Sequence, residues 1–201
     1  FLVKRDDRKF IRKNAVKENF TEAMKETARY LYNFPCICGW TIFNEGWGQF
    51  DSDRLYDILK QIDRTRFIDS TSGWFWQKKS DVSSIHVYFH PIVVKPDSRP
   101  VFVSEFGGYS LKIPGNSYNI KKTYGYRYFE DSEKFQRELT KLYEKEIIAQ
   151  MDKGLCGSIY TQLSDVEDET NGMLTFDRKV LKADVHEMQR IASRLRFTDS
   201  N

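Results

Sequence analysis

Apolar residues recur along this chain with two spacings, and segments of each kind alternate. From Phe20 to Tyr32, FTEAMKETARYLY carries Phe20, Met24, Ala28, Leu31 and Tyr32 on one helical face, and Pro35 stops the helix. CICGWTIF (36–43) follows as a short buried strand, then DRLYDILKQID (53–63) as a second amphipathic helix with Leu55, Ile58, Leu59 and Ile62 inward. RFIDSTS (66–72), SSIHVYF (83–89) and RPVFVSEFGG (99–108) read as three further strands. Residues 109–131 show no clear period and read as a long functional loop. SEKFQRELTKLYEKEIIAQMDKG (132–154) is then a long helix, capped by Ser132, ended by Gly154, with Phe135, Leu139, Leu142, Ile147 and Met151 inward. LCGSIYTQL (155–163) is the last strand, and ADVHEMQRIASRLRF (183–197) the last helix, with Val185, Met188, Ile191 and Leu195 inward.

Short apolar strands alternating with helices predict a parallel sheet covered by helices, an α/β fold. An open nucleotide-binding sheet needs a glycine-rich phosphate turn after its first strand. FNEGWG puts Glu45 and Trp47 where such a turn needs bare backbone N–H groups. A (β/α)8 barrel accounts better for the polar residues that follow strand after strand. These are Asn44 and Glu45, Asp69 and Ser70, His86 and Tyr88, Ser104 and Glu105, Tyr160 and Gln162. In barrels the carboxyl rim is where chemistry is found.

Composition narrows the classes. The 201 residues are enough for one domain with a real core, and 15% aromatic content suits tight packing or stacking on planar ligand faces. A net charge of +3 from 32 basic and 29 acidic residues gives no field for nucleic acid or a membrane surface. No apolar run reaches the length that spans a bilayer. Three cysteines make neither a disulfide framework nor a paired zinc motif, so Cys36, Cys38 and Cys156 read as buried, inert thiols.

Glu45 and Glu105 end two strands with two other strands between them, an arrangement that would bring them across one barrel mouth. Facing carboxylates cleave glycosidic bonds, one protonated to donate to the leaving oxygen, the other ionised to attack. The plain alternative for each is a solvated strand-end glutamate. Trp47, Trp74 and Trp76 either stack on sugar rings or pack under loops. Asp165, Glu167, Asp168 and Glu169 form an acidic run that either binds calcium or, lacking regular loop spacing, does not. KKTYGYRYF mixes basic and aromatic residues but lacks the wider basic field of a nucleic-acid site, and reads as part of an aglycone-side loop.

WTIFNEGWG, followed about 60 residues later by VFVSEFGG, resembles glycoside hydrolase family 2, as does YTQLSDVEDETNGMLTFDRK. NFPCICGWTIFNE is similar to the family's HPSI-x-x-W-x-x-x-NE run, with Phe34 where a histidine is usual. The resemblance implies a partial (β/α)8 TIM barrel of parallel strands, about strands four to eight, whose two glutamates lie on strands four and seven. It implies Glu45 as general acid/base and Glu105 as nucleophile of a retaining reaction, with carboxyl groups about 5 Å apart. Asn44 would bond the sugar 2-hydroxyl, and Tyr88 would bond the nucleophile and hold it ionised. His86, Trp47, Trp74 and Gln162 complete the expected substrate-binding set. No metal or organic cofactor is required.

The implied substrate is a β-glycoside, a β-galactoside, β-glucuronide or β-mannoside, cleaved from the chain end. Residues 1–201 read as a single domain, the C-terminal portion of a catalytic barrel. The opening FLVKRDDRKF, with no initiator methionine or signal peptide, reads as a piece of something longer, and location stays open. A barrel lacking three strands exposes strand edges, which predicts self-association through the open side or its cover by the FLVKRDDRKFIRK arm. A non-catalytic remnant that binds carbohydrate or protein is the alternative function.

Overall fold

The computed structural model describes residues 7–9, 13–119 and 121–195. Packing divides the chain into two compact units, Phe1–His86 with Asp97–Ser104, and Val87–Pro96 with Glu105–Asn201.

In the first unit, α1 (Asn14–Leu31) and α2 (Ser52–Ile62) cover the parallel pair β1 (Gly39–Asn44) and β2 (Phe67–Ser72), registered from Gly39 opposite Phe67 to Asn44 opposite Ser72. The helix predicted from Phe20 begins earlier, at Asn14, and the strand predicted from Cys36 begins later, at Gly39. The core is aromatic: Phe20 stacks on Phe43 at 5.1 Å between ring centroids, and Phe50 meets both edge-on at 5.6 and 5.5 Å. Leu55 and Leu59 of α2 and Ile68 of β2 are fully enclosed, as their helical and strand periods predict. β3 (Ser83–Val87) lies beside the first half of β4 (Val101–Gly107).

The start of α2 is held from far away in sequence. Its N-cap Asp51 makes no side-chain cap; the buried Asp7 carboxylate takes Ser52 N–H at 3.1 Å, the Ser52 hydroxyl and Gln49 Nε2 at 3.0 Å. An anion at a helix N-terminus satisfies an orphan donor and the dipole together. Most of the arm expected to cover the open side, residues 1–6 and 10–12, lies outside the described residues.

In the second unit, the other half of β4 lies beside β7 (Leu155–Thr161). The segment 109–131, read as periodless, contains two three-residue strands, β5 (Tyr109–Leu111) and β6 (Arg127–Phe129), paired in parallel. Strands this short carry too little pattern to announce themselves. The long helix consists of α3 (Ser132–Leu142), a π-helical segment Tyr143–Ile148, and α4 (Ala149–Met151). Asp131, not Ser132, caps it, its carboxylate taking Lys134 N–H at 2.6 Å. Phe135, Leu139, Leu142 and Ile147 are buried as expected. In α5 (Val185–Arg194), Ile191 is buried but Val185 stays largely exposed.

The described strands are parallel where their register is defined, and no barrel closes among the described residues, which is the partial barrel the resemblance implies. One expectation fails outright. All three cysteines are exposed: Cys36 and Cys38 precede β1 rather than lying within it, and Cys156 turns outward from β7.

Candidate active site

In the first unit the chain leaves β1 through Asn44 and at once bends. Glu45 takes φ 53° and Gly46 φ 76°, while Glu45 N–H extends the strand ladder to Ser72 C=O at 2.9 Å. A left-handed conformation costs a residue with a side chain about 1–2 kcal/mol, so the fold holds Glu45 there against preference. Its carboxylate is largely sheltered and lies 3.0 Å from His86 Nδ1, with the His86 side chain 1% exposed. His86 Nε2 is 2.6 Å from Ser72 Oγ. The ring reaches this place because Gly73 has no side chain: a Cβ there would lie 2.5 Å from the imidazole, at φ +84°.

The hydroxyl of Ser72 is 3.2 Å from that of Ser104, which in turn contacts the hydroxyl of Ser84. Asp69 is 4% exposed, and burial pushes its carboxyl up against the pull of Ser84, Thr71 N–H, His86 and Arg99. Asp69 and Ser70, expected at the strand's carboxyl end, lie inside β2, which continues to Ser72.

Asn44 is exposed, and Trp47 stands out of the surface at 76% exposure, free of any packing duty that its area would suggest. Trp74 is half-buried, edge-on to Phe75 at 6.4 Å. Trp76 gives its indole N–H to Ser84 C=O at 3.0 Å and is a packing residue.

In the second unit, Tyr88 follows β3 and Glu105 lies within β4. Tyr88 donates its phenol proton to Glu105 Oε2 at 2.5 Å, and Thr161 Oγ1 lies 3.0 Å from the same phenol oxygen. Burial, then the bond to Glu105, pushes the phenol far above its ordinary range, so it stays a donor. The Tyr88 ring stacks on Tyr126 at 4.0 Å and 22°. Tyr126 N–H bonds Gly108 C=O at 3.0 Å, and a Cβ on Gly108 would meet the Tyr126 ring at 2.3 Å.

Gln162 follows β7 across a cis peptide from Thr161. Both of its amide protons are engaged internally, with Glu169 Oε2 at 2.7 Å and Asn171 Oδ1 at 2.8 Å, leaving its carbonyl oxygen for other contacts. The acidic run is likewise occupied by protein. Asp168 takes an amide proton of Asn119, and Asp165 pairs with Lys182 at 2.6 Å, both side chains buried. His90 is exposed beside Pro91 C=O.

Thr161 and Ser72 join these networks without having been singled out in the sequence, and Tyr126 was marked only as part of the KKTYGYRYF stretch. Thr161 and Ser72 each end a strand, and that position is the signal that could have found them. Tyr126 sits in a periodless segment, where the basic and aromatic mix of its stretch was the one signal.

The fold has known counterparts. It resembles β-D-glucuronidase from Dictyoglomus thermophilum with a TM-score of 0.57 at 16% identity, over 90% of this chain and 36% of that one. Bacteroides uniformis β-glucuronidase gives 0.54 at 18% identity, over 80% of this chain and 24% of that one. B. uniformis β-glucuronidase 2, covalently bound to cyclophellitol-6-carboxylate aziridine, gives 0.55 at 18%, with the same coverage. The chain thus spans about a third or less of these structures. No curated protein matches the sequence. The family model for the glycosyl hydrolases family 2 TIM barrel domain matches residues 7–196, nearly the whole chain, and with this alternation of parallel strands and helices the protein belongs to glycosyl hydrolase family 2.

Proposed function

We propose that this chain supplies the catalytic pair of a retaining β-glycosidase, Glu45 as general acid/base and Glu105 as nucleophile, both serving one anomeric carbon. The observation that carries this reading is that each glutamate, Glu45 just past β1 and Glu105 within β4, stands against a sheltered partner, His86 for Glu45 and Tyr88 for Glu105. A solvated strand-end acid has no use for either. In the first half of the reaction Glu45 gives its proton to the leaving oxygen while Glu105 attacks. In the second half Glu45 takes a proton from water, and Glu105 leaves. The Tyr88 hydrogen bond stabilises Glu105 as an anion and so as a leaving group. In this reading Asn44 bonds the sugar 2-hydroxyl, and Trp47 and Trp74 offer apolar faces to the sugar's C–H groups.

Residues 1–201 act, in this reading, as one C-terminal portion of a catalytic barrel. The substrate is a β-glycoside, and the β-glucuronidase neighbours make glucuronides the first to try. Self-association is part of the same proposal. Leu163, 75% exposed, lines a groove of about 490 Å³ with Leu181, Val185 and Met188, and Ile159 of β7 is 56% exposed. Exposed apolar faces of this kind seek a partner.

The test is a panel of aryl β-galactosides, β-glucuronides and β-mannosides, offered to this chain and to a longer form carrying the preceding barrel strands. Turnover that vanishes in Glu105→Gln bears the reading out. Sugar binding without turnover in either form defeats it in favour of a non-catalytic remnant.

A further inference from the structure

Two turns of the first unit are wound against backbone preference. After β1, Glu45 (φ 53°), Gly46 (φ 76°), Gly48 (φ 66°) and Asp51 (φ 41°) are left-handed; after β2, Gly73 (φ 84°) and Phe75 (φ 47°) are too. Glu45, Asp51 and Phe75 carry side chains, and such conformations persist only where the surroundings over-determine them. Within the first turn, Trp47 N–H bonds Asn44 C=O at 3.0 Å and Gln49 N–H bonds Gly46 C=O at 3.3 Å. Those bonds close the turn upon itself, and Glu45 N–H ties its start to Ser72 C=O. They do not fasten the rest of it to the body of the unit.

The fastening comes from Phe75, Gln49 and Asp7. A Cβ on Gly46 would lie 2.2 Å from the Phe75 ring, so that ring rests on the bare Cα next to Glu45. Phe75 C=O takes amide protons from Gln49 and from Gln77, each at 3.0 Å. Gln49 is fully buried, and its Nε2 also donates to Asp7 Oδ2 at 3.0 Å, 42 residues back in the chain. Asp7, 3% exposed, is fixed in turn by Ser52 N–H at 3.1 Å and by the Ser52 hydroxyl. Both neighbours of the Gln49 amide are acceptors, so Nε2 faces them, and Oε1 is left buried with no partner among the described residues. Packing alone would be met by methionine, which has no oxygen to strand. Glutamine adds two donations at the expense of an orphaned acceptor.

We propose that Asp7 and Gln49 are positioning residues for Glu45. Acting through Phe75, they hold Gly46 and so keep the left-handed turn that aims the Glu45 carboxyl. The proposal rests on the role assigned to Glu45 above and supplies what that role needs, a fixed direction for proton donation. Direction is the sensitive quantity, because a misplacement of about 1 Å in a reacting group costs on the order of a hundredfold in rate. A Glu45 residue relaxed to right-handed φ and ψ would carry its carboxyl away from the place beside His86 that it now occupies.

The experiment uses Gln49→Met, which keeps the bulk and removes both donations. Amide exchange in the 201-residue chain is read at Glu45 and Trp47, with Asp63 N–H, bonded to Leu59 C=O at 2.8 Å, as the reference in the same unit. Exchange at Glu45 and Trp47 rises about tenfold or more while Asp63 stays within about twofold. Hydrolysis is read in the longer form carrying the preceding barrel strands. There Gln49→Met lowers kcat/KM about tenfold or more for alkyl β-glycosides, which need a proton from Glu45, and spares dinitrophenyl glycosides, which do not. Asp7→Ala acts in the same direction, and the double variant goes no further than the stronger single one, because the two residues act in series. Asp63→Asn, at the other end of α2, controls for lost stability and leaves the ratio of the two substrates unchanged. Exchange at Glu45 and Trp47 that follows Asp63, or a substrate ratio unmoved by Gln49→Met, overturns the proposal. If Asp7→Ala does not fold, Gln49→Met alone decides. A Glu45→Gln variant that still hydrolyses alkyl glycosides sinks the catalytic reading of Glu45, and the exchange data then decide the hold on its turn alone.

Discussion

Replacing Lys182 by Met tests how the acidic segment after β7 is held. The Lys182 ammonium is fully enclosed and donates to Asp165 Oδ1 at 2.6 Å and Thr170 C=O at 2.9 Å. Asp165 also takes Gly172 N–H at 2.9 Å, and its second oxygen has no partner. Burial is the largest influence on both groups, pushing Lys182 down and Asp165 up, against the charge of each. Hydrogen bonding and mutual attraction work the other way. Such a pair is held by the absence of an alternative more than by net gain. Lys182→Met strands a buried carboxyl with one donor, at a cost of about 3–5 kcal/mol. Adding Asp165→Asn removes the stranded charge and keeps an acceptor for Gly172, so the double variant loses only about 1–2 kcal/mol, the cost of the lost ammonium bond to a Thr170 carbonyl that still accepts from Leu111 N–H. All four tryptophans lie at positions 40–76, so urea unfolding of this region is read by tyrosine signals and by amide exchange at Gly172. A single-variant loss under about 1 kcal/mol, or a double variant worse than the single, would refute the account.

Asp63, enclosed at the end of α2, is pushed up by burial, but hydrogen bonds from Thr65, Trp40 and Arg66 outweigh that and hold it well below the usual carboxylate range. Its stabilisation is therefore complete above about pH 4 and is lost as pH falls below that. Asp63→Asn should cost about 1.5–3 kcal/mol at neutral pH and flatten the acid limb of a thermal-stability profile; an unchanged limb contradicts this. Gly73→Ala pairs a disfavoured φ with a 2.5 Å approach to His86, and should dislodge the imidazole, seen as a changed His86 ring signal. Trp47→Ala should leave stability within about 0.5 kcal/mol, because the ring is exposed, while weakening sugar binding in calorimetry. Tyr88→Phe removes the donor to Glu105 and should lower kcat in an active form, read on an aryl glycoside.

The barrel order was legible because strand and helix periods are local: Leu55, Leu59, Phe135 and Leu139 declare their buried faces within a few residues. The end of β1 was legible too, and with it Asn44 and Glu45, whereas Asp69 and Glu105, expected at strand ends, lie inside β2 and β4. Apolar pattern says little about small or edge features, so β5, β6 and the exposed thiols went unread.

What the sequence determined by itself was therefore the succession of elements and the polar residues near their carboxyl ends. Tertiary structure decided the partners. Asp7 caps a helix 45 residues on, and Tyr88 finds Thr161 across 73. A serine in a strand looks the same whether it faces water or, like Ser72, meets His86 and Ser104. Hydrogen bonds between distant segments depend on register and on glycines that leave room, and neither is written in the period of a single segment.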